Sequence, residues 1–240
     1  ETALGPSFLS SPTGFFQTNI RGAAHLVRIV EDAVGSAGSL KILDLYSGSG
    51  LFALPLALAN HRVTAVEESR KASREAAKNA QLSGVPESRL RLIPSKVEDA
   101  IEHLARQDWD VAIIDPPRSG CSREVMHTLV RRIVPRKLVI VSCNPEALMD
   151  EMRIAFGAGY RAVLVQPVDI FPHTPHIETV VVMDLERRVS APVRTEPATA
   201  HPKQARAQSA PSPAKNRKGK KSTAKKDKPW SRMPKRTTDK

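Results

Sequence analysis

Short aliphatic and β-branched runs alternate with longer stretches of helical periodicity through the first 186 residues, and this alternation constrains the chain more than any other feature. Residues 41–46 (KILDLY), 62–67 (RVTAVE), 89–93 (RLRLI), 110–115 (DVAIID) and 137–142 (KLVIVS) read as strands that end in polar or glycine-rich turns. Helical patterns fill 51–59, 70–83, 96–105, 122–134 and 145–156 between them. Strands this continuously apolar suit a sheet covered on both faces. The expected class is therefore α/β, a Rossmann-like, doubly wound and mostly parallel sheet. Two further strands, at 162–168 and 176–185, follow with no helix between them, which predicts an antiparallel hairpin at the sheet edge. One more helix is expected ahead of the sheet. Asn19 would be its N-cap, Ile20, Ala23, Ala24, Val27, Val30 and Val34 its apolar positions, and Gly35 its stop.

The formal net charge of +12 is unevenly divided. Residues 187–240 hold 17 Lys/Arg against 3 Asp/Glu, whereas residues 1–186 hold 20 against 22. That C-terminal stretch also carries seven prolines and little apolar surface, so it is expected to be a disordered basic tail. Such a tail most often meets a polyanion, with RNA or DNA foremost, because each neutralised phosphate releases counterions; conferring solubility is the plainer alternative. Three units are expected: a connecting segment over 1–19, an α/β domain over 20–186 and the tail over 187–240. The longest apolar stretches, 51–59 and 180–183, fall well short of the roughly 20 residues of a membrane span. With no secretory leader pattern and two cysteines, a soluble monomer in a reducing, cytoplasmic setting is expected, with no metal.

The first strand runs into LDLYSGSGLF, residues 43–52, a glycine-rich turn opening a helix. Gly48 and Gly50 allow a tight turn and close approach of the backbone to a ligand. Glu67, 17 residues after Gly50, ends the second strand where a carboxylate can accept hydrogen bonds from both ribose hydroxyls. The third glycine of a dinucleotide fingerprint is missing, as is a GxxxxGK[ST] phosphate loop. A nucleoside without phosphates fits, and S-adenosylmethionine is the common one. Tyr46 either flanks this ligand or caps the core. Asp115 opens DPPR at the end of the fourth strand, held there by Pro116 and Pro117, either beside the ligand or in a plain turn.

VSCNP, residues 141–145, closes the fifth strand. Asn144 suits an N-cap and Pro145 a first helical residue, so Cys143 would sit just before a helix N-terminus, a position that favours a thiolate over an inert thiol. Cys121 reads as buried or as an ordinary loop thiol. DIFPHTPHIE, residues 169–178, presents Glu178, a general base if burial raises its pKa and an idle surface carboxylate otherwise. His173 and His176 give only thin support for a metal and more simply shape the loop.

FFQTN (15–19), LDLYSGSG, DPPR, VSCNP and FPHTPHIE together resemble, in order and context, the RNA 5-methyluridine methyltransferase family, over roughly residues 8–186. The resemblance implies that Cys143 is the nucleophile and Glu178 the base. It also implies that Gln17, Tyr46, Glu67 and Asp115 line the S-adenosylmethionine site, and that tRNA or rRNA is the partner. Leu51 stands where the family often has Asn, and Lys96 occupies another position frequently used for the cofactor. The N-terminal RNA-binding barrel of many relatives has no counterpart in these 240 residues, so RNA selection is expected from the tail or from sequence beyond them. Two other readings remain: an amino-group nucleic-acid methyltransferase built on the DPP turn, which leaves VSCNP without a role, and a non-catalytic RNA-binding fragment.

Overall fold

Along β1 (Lys41–Leu45) every residue after the first is buried, and successive side chains enter opposite layers. Leu43 and Leu45 join Ala112, Ile114, Leu138, Ile140, Val181 and Met183 on one face of the sheet. Ile42 joins Val63, Ala65, Val111, Ile113, Val139, Val141, Val180 and Val182 on the other. This period of two, apolar on both sides, is why the strands look continuously hydrophobic. Each fully buried Leu, Ile or Val contributes about 1.5–3 kcal/mol. The computed structural model describes residues 8, 19–36, 38–174 and 176–186.

The remaining strands are β2 (Arg62–Glu67), β3 (Leu90–Pro94), β4 (Val111–Ile114), β5 (Lys137–Ser142), β6 (Tyr160–Val168) and β7 (Glu178–Leu185), in the order β3-β2-β1-β4-β5-β7-β6. The first five are parallel, and the chain reverses its direction of progress between β1 and β4. The hairpin of β6 and β7 forms the expected edge. Its second strand turns inward and pairs antiparallel with β5.

Helices α4 (Val97–Leu104), α5 (Arg123–Thr128) and α6 (Pro145–Phe156) cover the first face, and α1 (Ile20–Val34), α2 (Ala53–Leu58) and α3 (Arg70–Leu82) belong to the second. No helix among the described residues is long and apolar enough to cross a membrane.

Two local expectations need correction. The inward stripe of α1 is Ala23, Leu26, Val30 and Val34, whereas Ile20 is 73% exposed and Ala24 faces solvent. Counting from Ile20 placed the stripe off the face that Leu26 centres. The helix expected over 122–134 is α-helical only to Thr128, then widens into a π-helical turn over Leu129–Ile133. That extra residue keeps Leu129, Val130 and Ile133 all in the core, and left-handed Val134 (φ 52°) ends the turn with its N–H on the Leu129 carbonyl at 2.9 Å.

The caps follow the sequence. Asn19 Oδ1 accepts the Gly22 N–H at 3.0 Å, and its Nδ2 donates to the Ile170 carbonyl at 2.9 Å, which ties the start of α1 to the β6–β7 loop. Asn144 Oδ1 accepts the Glu146 N–H at 3.0 Å with Pro145 as the first helical residue.

Candidate active site

A cleft of about 930 Å³ opens at the carboxyl ends of the parallel strands, where the strand order reverses. Tyr46, Gly48, Glu67, Asp115, Cys143 and Glu178 all line it. They arrive from the ends of five different strands, Tyr46 and Gly48 sharing the turn after β1, so the sheet is what gathers them.

The turn after β1 is held from beneath. The Ser47 N–H reaches the Val66 carbonyl at 3.0 Å, and buried Asn79 of α3 donates to the Ser49 carbonyl at 3.4 Å. Glu67 receives the Gly48 N–H on Oε2 at 2.9 Å and the Ser69 N–H on Oε1 at 2.7 Å. Two backbone donors thus fix its carboxylate at the cleft wall, and its remaining lone pairs can accept a diol.

The two glycines differ in role. Gly48 (φ 55°) faces open space where a Cβ would stand, while a Cβ on Gly50 (φ 94°) would lie 1.9 Å from Leu54 Cδ1. Gly50 does not line the cleft. It lets the turn pack on α2 and reaches a ligand only through the shape it gives that turn.

Tyr46 also has a left-handed backbone (φ 63°), a strained conformation for an aromatic residue. Its hydroxyl donates to Glu98 Oε1 at 3.4 Å and lies 3.6 Å from Cys121 Sγ. Cys121, read above as buried or as an ordinary loop thiol, belongs to the cleft wall. Burial pushes its thiol up to about 12, so it stays protonated there.

The DPPR loop is pinned to α6 at two points. Asn144 Nδ2 donates to the Arg118 carbonyl at 2.9 Å, and the Cys121 N–H donates to Glu151 Oε1 at 2.7 Å. Glu151 is buried, with its other oxygen unpartnered, and burial raises its pKa. Burial, reinforced by the nearby Glu178 carboxylate, pushes Asp115 up to about 8. At neutral pH Asp115 is mostly a neutral acid, able to donate a hydrogen bond.

Cys143 and Glu178 come together. β5 and β7 are antiparallel and their pairing ends with Ser142 opposite Thr179, which leaves Cys143, just past β5, and Glu178, the first residue of β7, at the same edge. Both line the cleft, and the Glu178 carboxylate is close enough to act on the Cys143 thiol. Burial raises the Glu178 pKa, and the Arg118 guanidinium draws it back. The Cys143 thiol is raised by burial first and then by Glu178, against the lowering effect of Arg118. Burial and the Glu178 carboxylate thus work against the thiolate expected at the helix N-terminus, and Arg118 works for it.

Gln17 lies outside the described residues, as does the basic tail. Sequence reasoning quoted Arg118 within DPPR but gave it no task, and it passed over Phe171, which lines the cleft. Lys96 does not line it; its Nζ sits 3.8 Å from Glu68 Oε1. Leu51 does, as an apolar wall.

Several observations together test the cleft for a nucleoside cofactor with positive charge. Glu67 and Glu178 line it as carboxylates, Asp115 lines it as a hydrogen-bond donor, and the Gly48 turn leaves room for close approach. The residues fit such a group.

This strand order and this cleft define the chain as a class I methyltransferase fold. An S-adenosylmethionine-dependent methyltransferase from Agrobacterium tumefaciens superposes with a TM-score of 0.55 at 24% identity, covering 76% of this chain and 68% of that one. More particularly, residues 8–187 match tRNA (uracil-5-)-methyltransferase, and the chain belongs to that family. An uncharacterized RNA methyltransferase of Caldanaerobacter subterraneus is 38% identical over 179 residues, 74% of this chain and 39% of the relative. Another from Porphyromonas gingivalis is 37% identical over 187 residues, 76% of this chain and 40% of the relative. The Pyrococcus abyssi tRNA (uracil-54, C5)-methyltransferase, solved with S-adenosyl-L-homocysteine, is similar at 32% identity and a TM-score of 0.65, over 73% of this chain and 41% of that one. The chain thus spans about two fifths of the length of these three relatives.

Proposed function

We propose that residues 20–186 form the catalytic domain of an S-adenosylmethionine-dependent enzyme that methylates C5 of a uridine in tRNA or rRNA. One observation carries this reading: a thiol, Cys143, and a carboxyl, Glu178, line one cleft within electrostatic reach of each other, and the glycine-rich turn after β1 lines it too.

Uracil C5 is a weak nucleophile, and this pair answers that difficulty. Addition of the Cys143 sulfur to C6 breaks the C5–C6 π bond and places electron density on C5 and O4. When bound, S-adenosylmethionine supplies an electrophilic methyl group to C5. Glu178, as carboxylate, then removes the C5 proton; the C5–C6 double bond re-forms and the Cys143 thiolate leaves. Its raised pKa makes Glu178 a stronger proton acceptor than an exposed glutamate. Arg118 offers positive charge to the departing thiolate and to O4. Glu67, Gly48, Tyr46 and Asp115 would hold the cofactor, with Gly50 shaping the turn; the family resemblance alone adds Gln17. Carbon 6 is buried within a stacked helix, so the target is a loop base or one turned out of its stack.

The tail over 187–240, with 17 Lys/Arg, would add salt-sensitive affinity for phosphates, and residues 1–19 would connect to the domain. The deciding experiment uses RNA carrying 5-fluorouridine, whose C5 fluorine cannot leave as a proton does. A covalent protein–RNA band on a denaturing gel is expected from the wild type and not from Cys143→Ala. Equal bands, or none from either, would overturn the reading.

A further inference from the structure

The loop between β6 and β7 is built to present two rings. The Phe171 carbonyl accepts from both the Thr174 N–H at 3.1 Å and the Thr174 hydroxyl at 2.7 Å, and the His176 N–H reaches Thr174 Oγ1 at 3.3 Å. Asn19 holds the same loop through the neighbouring Ile170 carbonyl. Thus fixed, Phe171 and His176 meet edge to face, with ring centroids 6.4 Å apart and planes at 87°. Phe171 forms part of the cleft wall with Cys143 and Glu178, whereas His176 lies outside the lining, and Ile177 beside it is 43% exposed.

Aromatic residues are scarce in this chain, at 4%. Phe52, Trp109 and Tyr160 are spent in the core. Among the described residues Phe171, like Tyr46, is instead placed in the cleft wall, and it is the one of the two with a second ring beside it at the rim. Flat π surfaces on a polar rim suit an unstacked nucleobase, whose own face has lost its neighbours.

We propose that the Phe171–His176 pair is a stacking platform at the cleft mouth for the base of a nucleotide flanking the target in single-stranded RNA. This rests on the RNA reading above and adds how the strand is gripped beside the reacting base. Phe171 lies on the inner side and supports the ring of His176, which meets the flanking base.

The test uses the full chain saturated with S-adenosylhomocysteine, so that no methyl group moves, at about 0.3 M salt, where weakly held phosphate contacts are screened. Equilibrium dissociation constants are measured for a hairpin with a uridine in a seven-nucleotide loop, and for the same hairpin with an abasic site 5′ or 3′ to that uridine. The wild type should bind one of the two abasic hairpins about tenfold more weakly, the order of effect of one base–aromatic stack. His176→Ala should bind intact and abasic hairpins alike, and His176→Phe should restore the discrimination. Phe171→Leu, which keeps the apolar packing, should weaken it.

The platform is overturned if the wild type does not discriminate, if it binds none of the hairpins, if His176→Ala still discriminates, or if His176→Phe fails to rescue. Formation of 5-methyluridine is scored separately. Its absence alongside intact discrimination would sink the uracil reading and leave the platform standing.

Discussion

Ser142 of β5 lies opposite Thr179 of β7, and the residues that follow and precede them, Cys143 and Glu178, line the same cleft within electrostatic reach of each other. Because β7 runs against the other strands it pairs with, its first residue lies at the edge where the parallel strands end. A parallel β7 would have placed Glu178 at the opposite edge of the sheet, away from the cleft. The chemistry proposed for the pair follows from that reversal.

Removing the base should stall the reaction rather than prevent it. In Glu178→Gln, Cys143 can still add to C6, but nothing positioned removes the C5 proton. Turnover should fall by about 10²–10⁴-fold, the usual contribution of a positioned base. A covalent complex should accumulate on ordinary uridine RNA, visible by intact-mass spectrometry. Loss of turnover without any trapped complex would assign Glu178 to an earlier step.

The two turn glycines should separate stability from ligand affinity. Gly50→Ala forces a Cβ into Leu54 at a positive φ and should lower unfolding free energy by about 1–3 kcal/mol, the range for overpacking and backbone strain. Gly48→Ala meets no atom and adds only left-handed strain of about 1–2 kcal/mol, but it places a methyl group at the cleft wall. Calorimetric titration with S-adenosylhomocysteine should show at least tenfold weaker binding for Gly48→Ala. Unchanged affinity would remove Gly48 from the cofactor site.

Asp115 makes stability depend on pH. Its folded pKa, about 8 against an ordinary 3.8, means that the folded chain holds a proton that the unfolded chain gives up. The stabilisation from that proton is complete below about pH 3.8 and is lost as pH rises through about 8. Asp115→Asn carries no such charge, so its stability relative to wild type should rise steadily from pH 4 to 8 and level off above. Denaturant melts across that window measure the difference, and a constant offset would contradict the burial-driven shift.

Glu151 holds the DPPR loop from below, through the Cys121 N–H. Glu151→Ala should loosen residues 116–121, speed their amide exchange and lower kcat/KM by about tenfold. Glu151→Gln keeps an oxygen for that N–H and removes a buried, half-satisfied charge. It should restore kcat/KM and melt above the wild type at pH 7. Equal losses in both variants would point to the carboxylate charge itself.

Much of this was legible in the chain before any coordinates. Strand and helix positions could be read because apolar periodicity and caps are local: Asn19 and Asn144 cap the helices they precede, and the strand runs lie within two residues of their observed limits, the starts of β6 and β7 being the furthest off. The motifs that end in Tyr46, Glu67, Asp115 and Cys143 could be read as cleft residues because parallel strands bring their carboxyl ends to one edge. Arg118, Phe171 and Cys121 escaped, since each acts through neighbours distant in sequence. The direction of the Cys143 shift also escaped, because a helix N-terminus is visible in sequence whereas desolvation and a nearby carboxylate are not.

Sequence alone determined the elements, the α/β class and the residue types available at each strand end, because backbone propensity, capping and alternation are properties of neighbours along the chain. Only tertiary structure decided that β7 inserts antiparallel beside β5, so that Glu178 meets Cys143, and that Arg118 and Asp115 share their electrostatic environment. Those relationships arise from burial and from charges brought close through space, and the distance between two groups along the chain carries no record of them.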